Sequence, residues 1–182
     1  MFIMKELLLD SILEGMPGIT AVEGANLLEN CIYLLHEKGH VSPTDMEVSG
    51  MENLMLPVVW RDTYDEQMKR TYADRQSATE RAAICISALL ATTMTEYTIV
   101  ERSRRGTGFD YYLGNKEDKF FLPKARLEVS GIEEEKSGNT LLQRYRMKLK
   151  QVERSDYLKL PVYIAVVEFD TPKSIFDRKE TI

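Results

Sequence analysis

Tyr97-Thr98-Ile99-Val100-Glu101-Arg102, then Arg105-Gly106-Thr107-Gly108, then Phe109-Asp110-Tyr111-Tyr112-Leu113-Gly114 read in succession as strand, tight turn and strand. β-branched and aromatic residues favour the two pleated segments, and the glycines favour the turn between them. Downstream, Phe120 to Ile132 predicts a third strand, with Pro123 confining its start to an edge or entry position. Gly131 and Gly138 bracket an acidic turn, after which Asn139 or Thr140 caps a basic helix to about Ser155. Pro161 to Phe169 then forms a continuous apolar strand of the kind covered on both faces. Upstream, Thr63-Tyr64-Asp65-Glu66 fits a capping box, so a helix is expected from there to about Thr92, roughly 40 Å long. Its second half, Ala82 to Leu90, is apolar on nearly every side and must be buried. The order is helix, three strands, helix, strand, which predicts an α/β fold with helices packed on a mixed sheet.

The rest of the chain reads as an addition to that unit. Residues 1–14 are expected to be a leucine-rich helical segment broken by Met16-Pro17-Gly18, and Ala21 to Lys38 an amphipathic helix ended by Gly39 and Pro43. Residues 41–58 are mixed, with at most a short strand around Met46 to Val48. The expected organisation is an N-terminal helical extension over 1–60 and an α/β core over 61–182. Composition agrees with an ordinary folded chain: of 182 residues, 43 % are apolar and 29 % charged, with 24 Lys+Arg against 29 Asp+Glu for a net charge of −5. That balance excludes wholesale disorder and collagen-like repeats. The longest apolar run, Ala82 to Ala91, is about half the ~20 residues a bilayer crossing needs, so no membrane association is expected. Lys5, Glu6 and Asp10 interrupt the N-terminal apolar stretch and argue against a secretory signal. With only Cys31 and Cys85, the chain reads as cytoplasmic with reduced thiols.

Two clusters run against the net acidity. Arg102, Arg104 and Arg105 precede the turn, and Arg144, Arg146, Lys148, Lys150, Arg154 and Lys159 outnumber Glu153 and Asp156 in the basic helix. Either cluster alone is commonly a solvated face. Beside them stand Asp110, early in the second strand, and Glu128, in the middle of the third. If these strands are neighbours, the two carboxylates converge at one edge of the sheet. Mg²⁺ takes such hard oxygen ligands while retaining several waters, and a bound water can attack a phosphodiester.

This pair, in the helix–hairpin–strand–helix–strand order of residues 63–170, resembles the PD-(D/E)XK nuclease superfamily, the restriction-endonuclease-like fold. The resemblance implies an αβββαβ core in which Asp110 is the hairpin acid, Glu128 opens the E-x-K motif, and Glu80 is the acid of the first helix. All three would bind Mg²⁺ or Mn²⁺, and the activity would be metal-dependent hydrolysis of nucleic acid, DNA first. The motif's lysine position is Ser130. A cation there stabilises the attacking water and the transition state, so Lys148 or Lys150 on the following helix, or Lys124 in the same strand, must supply it if the chain is active. Arg102, Arg104, Arg105, Arg144 and Arg146 would contact phosphates, and the chain would work as a homodimer or as a subunit of a larger complex. Nuclease-like folds are frequent in bacterial antiviral defence.

Two other readings follow from the residues. Ser130, the acidic net charge and the apolar faces of the N-terminal helices suit a catalytically silent binding or assembly subunit. His36-Glu37-Lys38-Gly39-His40 is a literal H-E-x-x-H, which resembles zinc metallopeptidases over these five residues alone. The chain has no other histidine, so a third ligand would be Glu47, Glu52 or Asp62; the plain alternative is polar residues at a helix C-terminus. Gly106-Thr107-Gly108 leads into a strand rather than a helix and reads as a turn, not a phosphate loop.

Overall fold

The computed structural model describes residues 5–181. Among these residues eight strands form one mixed sheet: β1 (Leu7–Leu8), β2 (Thr44–Gly50), β3 (Leu54–Val59), β4 (Tyr97–Arg102), β5 (Tyr111–Asn115), β6 (Ala125–Ile132), β7 (Val162–Glu168) and β8 (Lys173–Lys179). Their order across the sheet is β1-β3-β2-β8-β7-β6-β5-β4. β6 and β7 are parallel, joined over helix α4 (Leu141–Gln151), whereas β4–β5, β5–β6 and β7–β8 are antiparallel. Helices α1 (Ala21–Glu37) and α3 (Arg75–Met94) pack together on one face, and α4 covers the other.

The period of two in β7 divides the core. Tyr163, Ala165 and Val167 join the large cluster under α1 and α3, while Val162, Ile164 and Val166 join a smaller one with Leu141 and Val152 from the α4 side. In β6 the same alternation sends Leu127 and Val129 toward α3 and leaves Arg126, Glu128 and Ser130 on the α4 side. Gly131 lets α3 come close: a β-carbon there would lie 2.6 Å from the Thr79 carbonyl oxygen.

Arg126 is wholly buried and fixes how α4 ends. Its guanidinium donates to the carbonyls of Leu160 and Val152, to Ser155 Oγ and Thr181 Oγ1, and pairs with Asp156 at 3.0 Å. Most of these partners belong to the 3-10 segment Val152–Leu158 that continues α4, so one side chain ties the helix end to the sheet. Arg126→Met is expected to lower stability by about 3–5 kcal/mol in chemical denaturation, because it strands several buried acceptors. Arg126→Lys should recover little of that, since an ammonium cannot span the same acceptors.

The α/β class, the β4–β5 hairpin, the basic helix and the apolar β7 agree with the sequence reading. The N-terminal part differs. Within residues 5–14 there is β1 followed by a 3-10 helix, Leu9–Glu14, instead of a long helix; residues 1–4 of that segment lie outside the described residues. Leu7 and Leu9 are buried and Leu8 is half exposed, the alternation of a strand. Residues 41–58 hold a full hairpin of β2 and β3, and Met46 and Val48 alternate with Asp45 and Glu47. The expected helical extension is therefore in good part sheet. β8, absent from the sequence reading, pairs with both β7 and β2 and makes the two halves continuous.

The helix expected from Thr63 to Thr92 is broken into α2 (Glu66–Thr71) and α3. Asp65 and Asp74 each accept a backbone N–H three residues on, from Met68 and Ser77, so each starts its own helix. Thr63 is not the cap. The third strand begins at Ala125 rather than Phe120, because Asp118 takes the amides of Phe120 and Leu122 and holds that stretch as a loop. The turn between β4 and β5 is wider than four residues. The Ser103 amide still donates to the Asp110 carbonyl, and beyond it Thr107 Oγ1 donates to the Arg104 carbonyl and Ser103 Oγ to that of Phe109.

Candidate active site

α4 presents three faces, and its spacing assigns each a task. Leu141, Tyr145, Leu149 and Val152, at helical spacing, enter the small core. Arg146 and Lys150 point to solvent. Arg144, Lys148 and Gln151, at i, i+4 and i+7, lie over the polar residues of β6. Gly108, with φ +88°, lets the β4–β5 turn press against the same helix: a β-carbon there would lie 2.8 Å from the Gln151 carbonyl oxygen.

The carboxylates meet. Asp110 donates its amide to the Leu127 carbonyl, and its Oδ2 accepts the amide of Val129 at 2.8 Å, which sets its side chain beside Glu128. Glu128 is 1 % exposed. Its Oε1 accepts Lys148 Nζ at 2.6 Å and Gln151 Nε2 at 2.9 Å, while Gln151 Oε1 accepts Lys148 at 3.1 Å. Its Oε2 is buried without a donor. Burial and the neighbouring Asp110 charge push the Glu128 carboxyl up to about 8, with Lys148 opposing only in part.

These groups fit a hard divalent cation. The undonated Glu128 Oε2 and the adjacent Asp110 carboxylate are oxygen ligands whose mutual repulsion a cation would relieve. Among the described residues no three His, Cys, Asp or Glu side chains cluster closely enough to enclose a metal ion. Any ion held here would therefore take two carboxylates and complete its shell with water and phosphate oxygens, as Mg²⁺ commonly does. Glu80, exposed on α3, borders the same space without joining such a cluster.

Around the pair lies a cleft of about 730 Å³ bordered by Arg102, Arg104, Arg105 and Arg154. None of these four guanidiniums forms an ion pair with a carboxylate among the described residues, whereas Arg75, Arg81 and Arg126 each do. These arginines share the cleft with Glu80, Asp110 and Glu128, in a chain of net charge −5.

Of the residues singled out from sequence, Asp110, Glu128 and Lys148 come together, Glu80, Arg102, Arg104, Arg105 and Arg144 border the adjoining clefts, and Lys150 and Arg146 face away. Lys124 is exposed in the β5–β6 connection. Sequence reasoning missed Gln151 and the placement of Arg154. The signal for Gln151 was its spacing of three residues from Lys148 once the helix start was fixed at Thr140; Arg154 lies beyond α4, in the 3-10 segment Val152–Leu158, where α-helical phase does not place it. The H-E-x-x-H run does not form one helical face, because α1 ends at Glu37. His36 stacks on Tyr64, Glu37 accepts from Tyr64 and Arg75, and the His40 ring is bonded to the Phe169 carbonyl. No protein-family model matches the chain, and no curated protein and no solved structure matches it.

Proposed function

We propose that this chain is a metal-dependent nuclease, with residues from α3 to β7 arranged as a restriction-endonuclease-like core. The observation that carries the reading is the Lys148 ammonium at 2.6 Å from Glu128 beside Asp110, a cation relocated to α4 where the strand has Ser130. The neighbouring sheet order β7-β6-β5-β4, with β6 and β7 parallel across α4, supports the finer fold assignment.

Asp110 and Glu128 would hold Mg²⁺ or Mn²⁺. When bound, such an ion supplies charge neutralisation at the attacked phosphate and activation of water. Arg102, Arg104, Arg105 and Arg154 hold flanking phosphates. Lys148 faces the charge that develops on the phosphoryl oxygens as the water oxygen bonds to phosphorus and the bond to the departing sugar oxygen breaks. Gln151 fixes both Lys148 and Glu128 through its amide, so the ammonium is oriented before substrate arrives.

The test is cleavage of plasmid and of single-stranded DNA and RNA with Mg²⁺ and with Mn²⁺, beside calorimetric titration of Mn²⁺. Wild type should cleave and bind the ion; Asp110→Ala and Glu128→Ala should lose at least about 10²–10³-fold in rate, the equivalent of several kcal/mol of charge stabilisation. Wild-type protein that neither cleaves any of these substrates nor binds Mn²⁺ would overturn the reading.

A further inference from the structure

Ser130 occupies the position where the resemblance leads one to expect lysine, and its buried side chain has another use. Its hydroxyl oxygen accepts Nη1 of Arg144 at 3.2 Å, while Asn139 Oδ1 accepts Nε at 3.2 Å and Nη2 at 2.6 Å. Three of the five guanidinium donors are thus committed to neutral oxygens, leaving one N–H on each terminal nitrogen. Arg144 forms no ion pair with a carboxylate among the described residues, in contrast to Arg75, Arg81 and Arg126. A guanidinium locked by neutral acceptors keeps both its full charge and a fixed fork, the arrangement that recognises phosphate oxygens.

Arg144 borders a second polar cleft of about 510 Å³. Glu80, Arg102 and Asp110 border this cleft and the arginine-lined one alike, so the two are arms of one groove that meet at the carboxylates. Arg104, Arg105 and Arg154 belong to one arm and Arg144 to the other. We infer that Arg144, oriented by Ser130 and Asn139, is a second phosphate subsite, so that a polynucleotide strand lies across the carboxylate pair with backbone phosphates held in both arms. This rests on the nuclease reading for which phosphodiester is cut; the anion subsite itself stands on the geometry of the guanidinium. Ser130 and Asn139 are positioning residues in it. The departure from the motif is then a division of labour: Lys148 serves the carboxylates, and Ser130 directs a different cation at the neighbouring phosphate.

The test is fluorescence anisotropy of a labelled single-stranded DNA 20-mer in EDTA across a NaCl series, so that binding is read without cleavage. Arg144→Ala should weaken binding and reduce the slope of log affinity against log salt by about 0.7, one phosphate contact on a single strand. Arg144→Lys should keep the slope and lose affinity. Ser130→Ala should weaken binding with the slope unchanged, and Ser130→Thr should restore it, a pattern that mere damage to packing does not produce. An Arg144→Ala protein with wild-type affinity and slope, while Arg104→Ala or Arg105→Ala lowers both, overturns the second subsite and leaves the nuclease reading intact. Binding that responds to Arg144 as described, in a protein that neither cleaves plasmid, single-stranded DNA or RNA nor binds Mn²⁺, supports the subsite and overturns the nuclease reading instead.

Discussion

Lys148→Ala is expected to cut the proposed DNA cleavage by about 10²–10³-fold in rate, the scale of losing one preorganised charge at a developing oxyanion. The ammonium lies 2.6 Å from Glu128 Oε1 and is held in place by Gln151. It is the only cation paired with Glu128 among the described residues. Without it, burial and the Asp110 charge act on Glu128 with less opposition, so the carboxyl moves further up and is protonated over more of the neutral range. The acid limb of the rate–pH profile should therefore shift upward in Lys148→Ala, a signature that a loss of folding would not give. Lys150 lies two residues further along α4, a rotation that turns it to solvent. Lys150→Ala should leave the pH profile in place and change the rate by no more than a few-fold. A large loss at Lys150 with none at Lys148 would reverse the assignment.

The difference between those two lysines shows what the sequence could and could not decide. Both were candidates, because a basic helix after an acidic strand offers either; the choice depended on where the helix begins. Thr140 sets that start through a capping box with Gln143, and from it the phase of Arg144, Lys148 and Gln151 follows. The pairing of Asp110 with Glu128 depended on strand register, which residue types alone leave open, since a one-residue slip reverses the face. Here the amide of Asp110 on the Leu127 carbonyl settles it. β7 was legible because it is covered on both faces and apolar throughout. β8 was not, because Lys173, Asp177, Arg178 and Lys179 obscure the two buried positions, Ser174 and Phe176, that place it in the sheet. β2 and β3 were hidden similarly: β2 carries its alternation on Met46 and Val48 between acids, and β3 is apolar nearly throughout with Pro57 interrupting. The break between α2 and α3 turned on two aspartates, at 65 and 74, competing as caps against an otherwise continuous helical pattern.

Metal-free protein is expected to lose about 3–5 kcal/mol of stability between pH 4.5 and 8, and Glu128→Gln is expected to abolish that loss. The carboxyl of Glu128 ionises at about 8 in the fold and near 4.5 in the unfolded chain. Between those values the folded chain binds the extra proton, so raising the pH favours unfolding; the contribution is fully present below 4.5 and gone above about 8. Groups shifted the other way act in a different window. Glu133 and Glu135 are held below their usual range by Arg75, and by the Leu141 amide and Lys173, so their contribution is lost only as the solution becomes more acid than 4.5. Tyr64, pushed up to about 12 by burial and Glu37, lies beyond the upper end. A fall of this size is a large share of the roughly 5–15 kcal/mol that holds an ordinary domain together. Urea denaturation at constant ionic strength measures it directly. Glu128→Gln, which keeps an acceptor for Lys148 and removes the buried charge, should match wild type near pH 4.5 and exceed it at pH 8.5. Adding Mn²⁺ at pH 8.5 should restore much of the difference to wild type and little to Glu128→Gln, because an ion that binds only the folded state stabilises it. Wild-type stability that is level or rising from pH 5 to 8 would show that Glu128 is ionised there at no cost, and with that the mutually repelling carboxylate pair on which the proposed metal site depends would be gone.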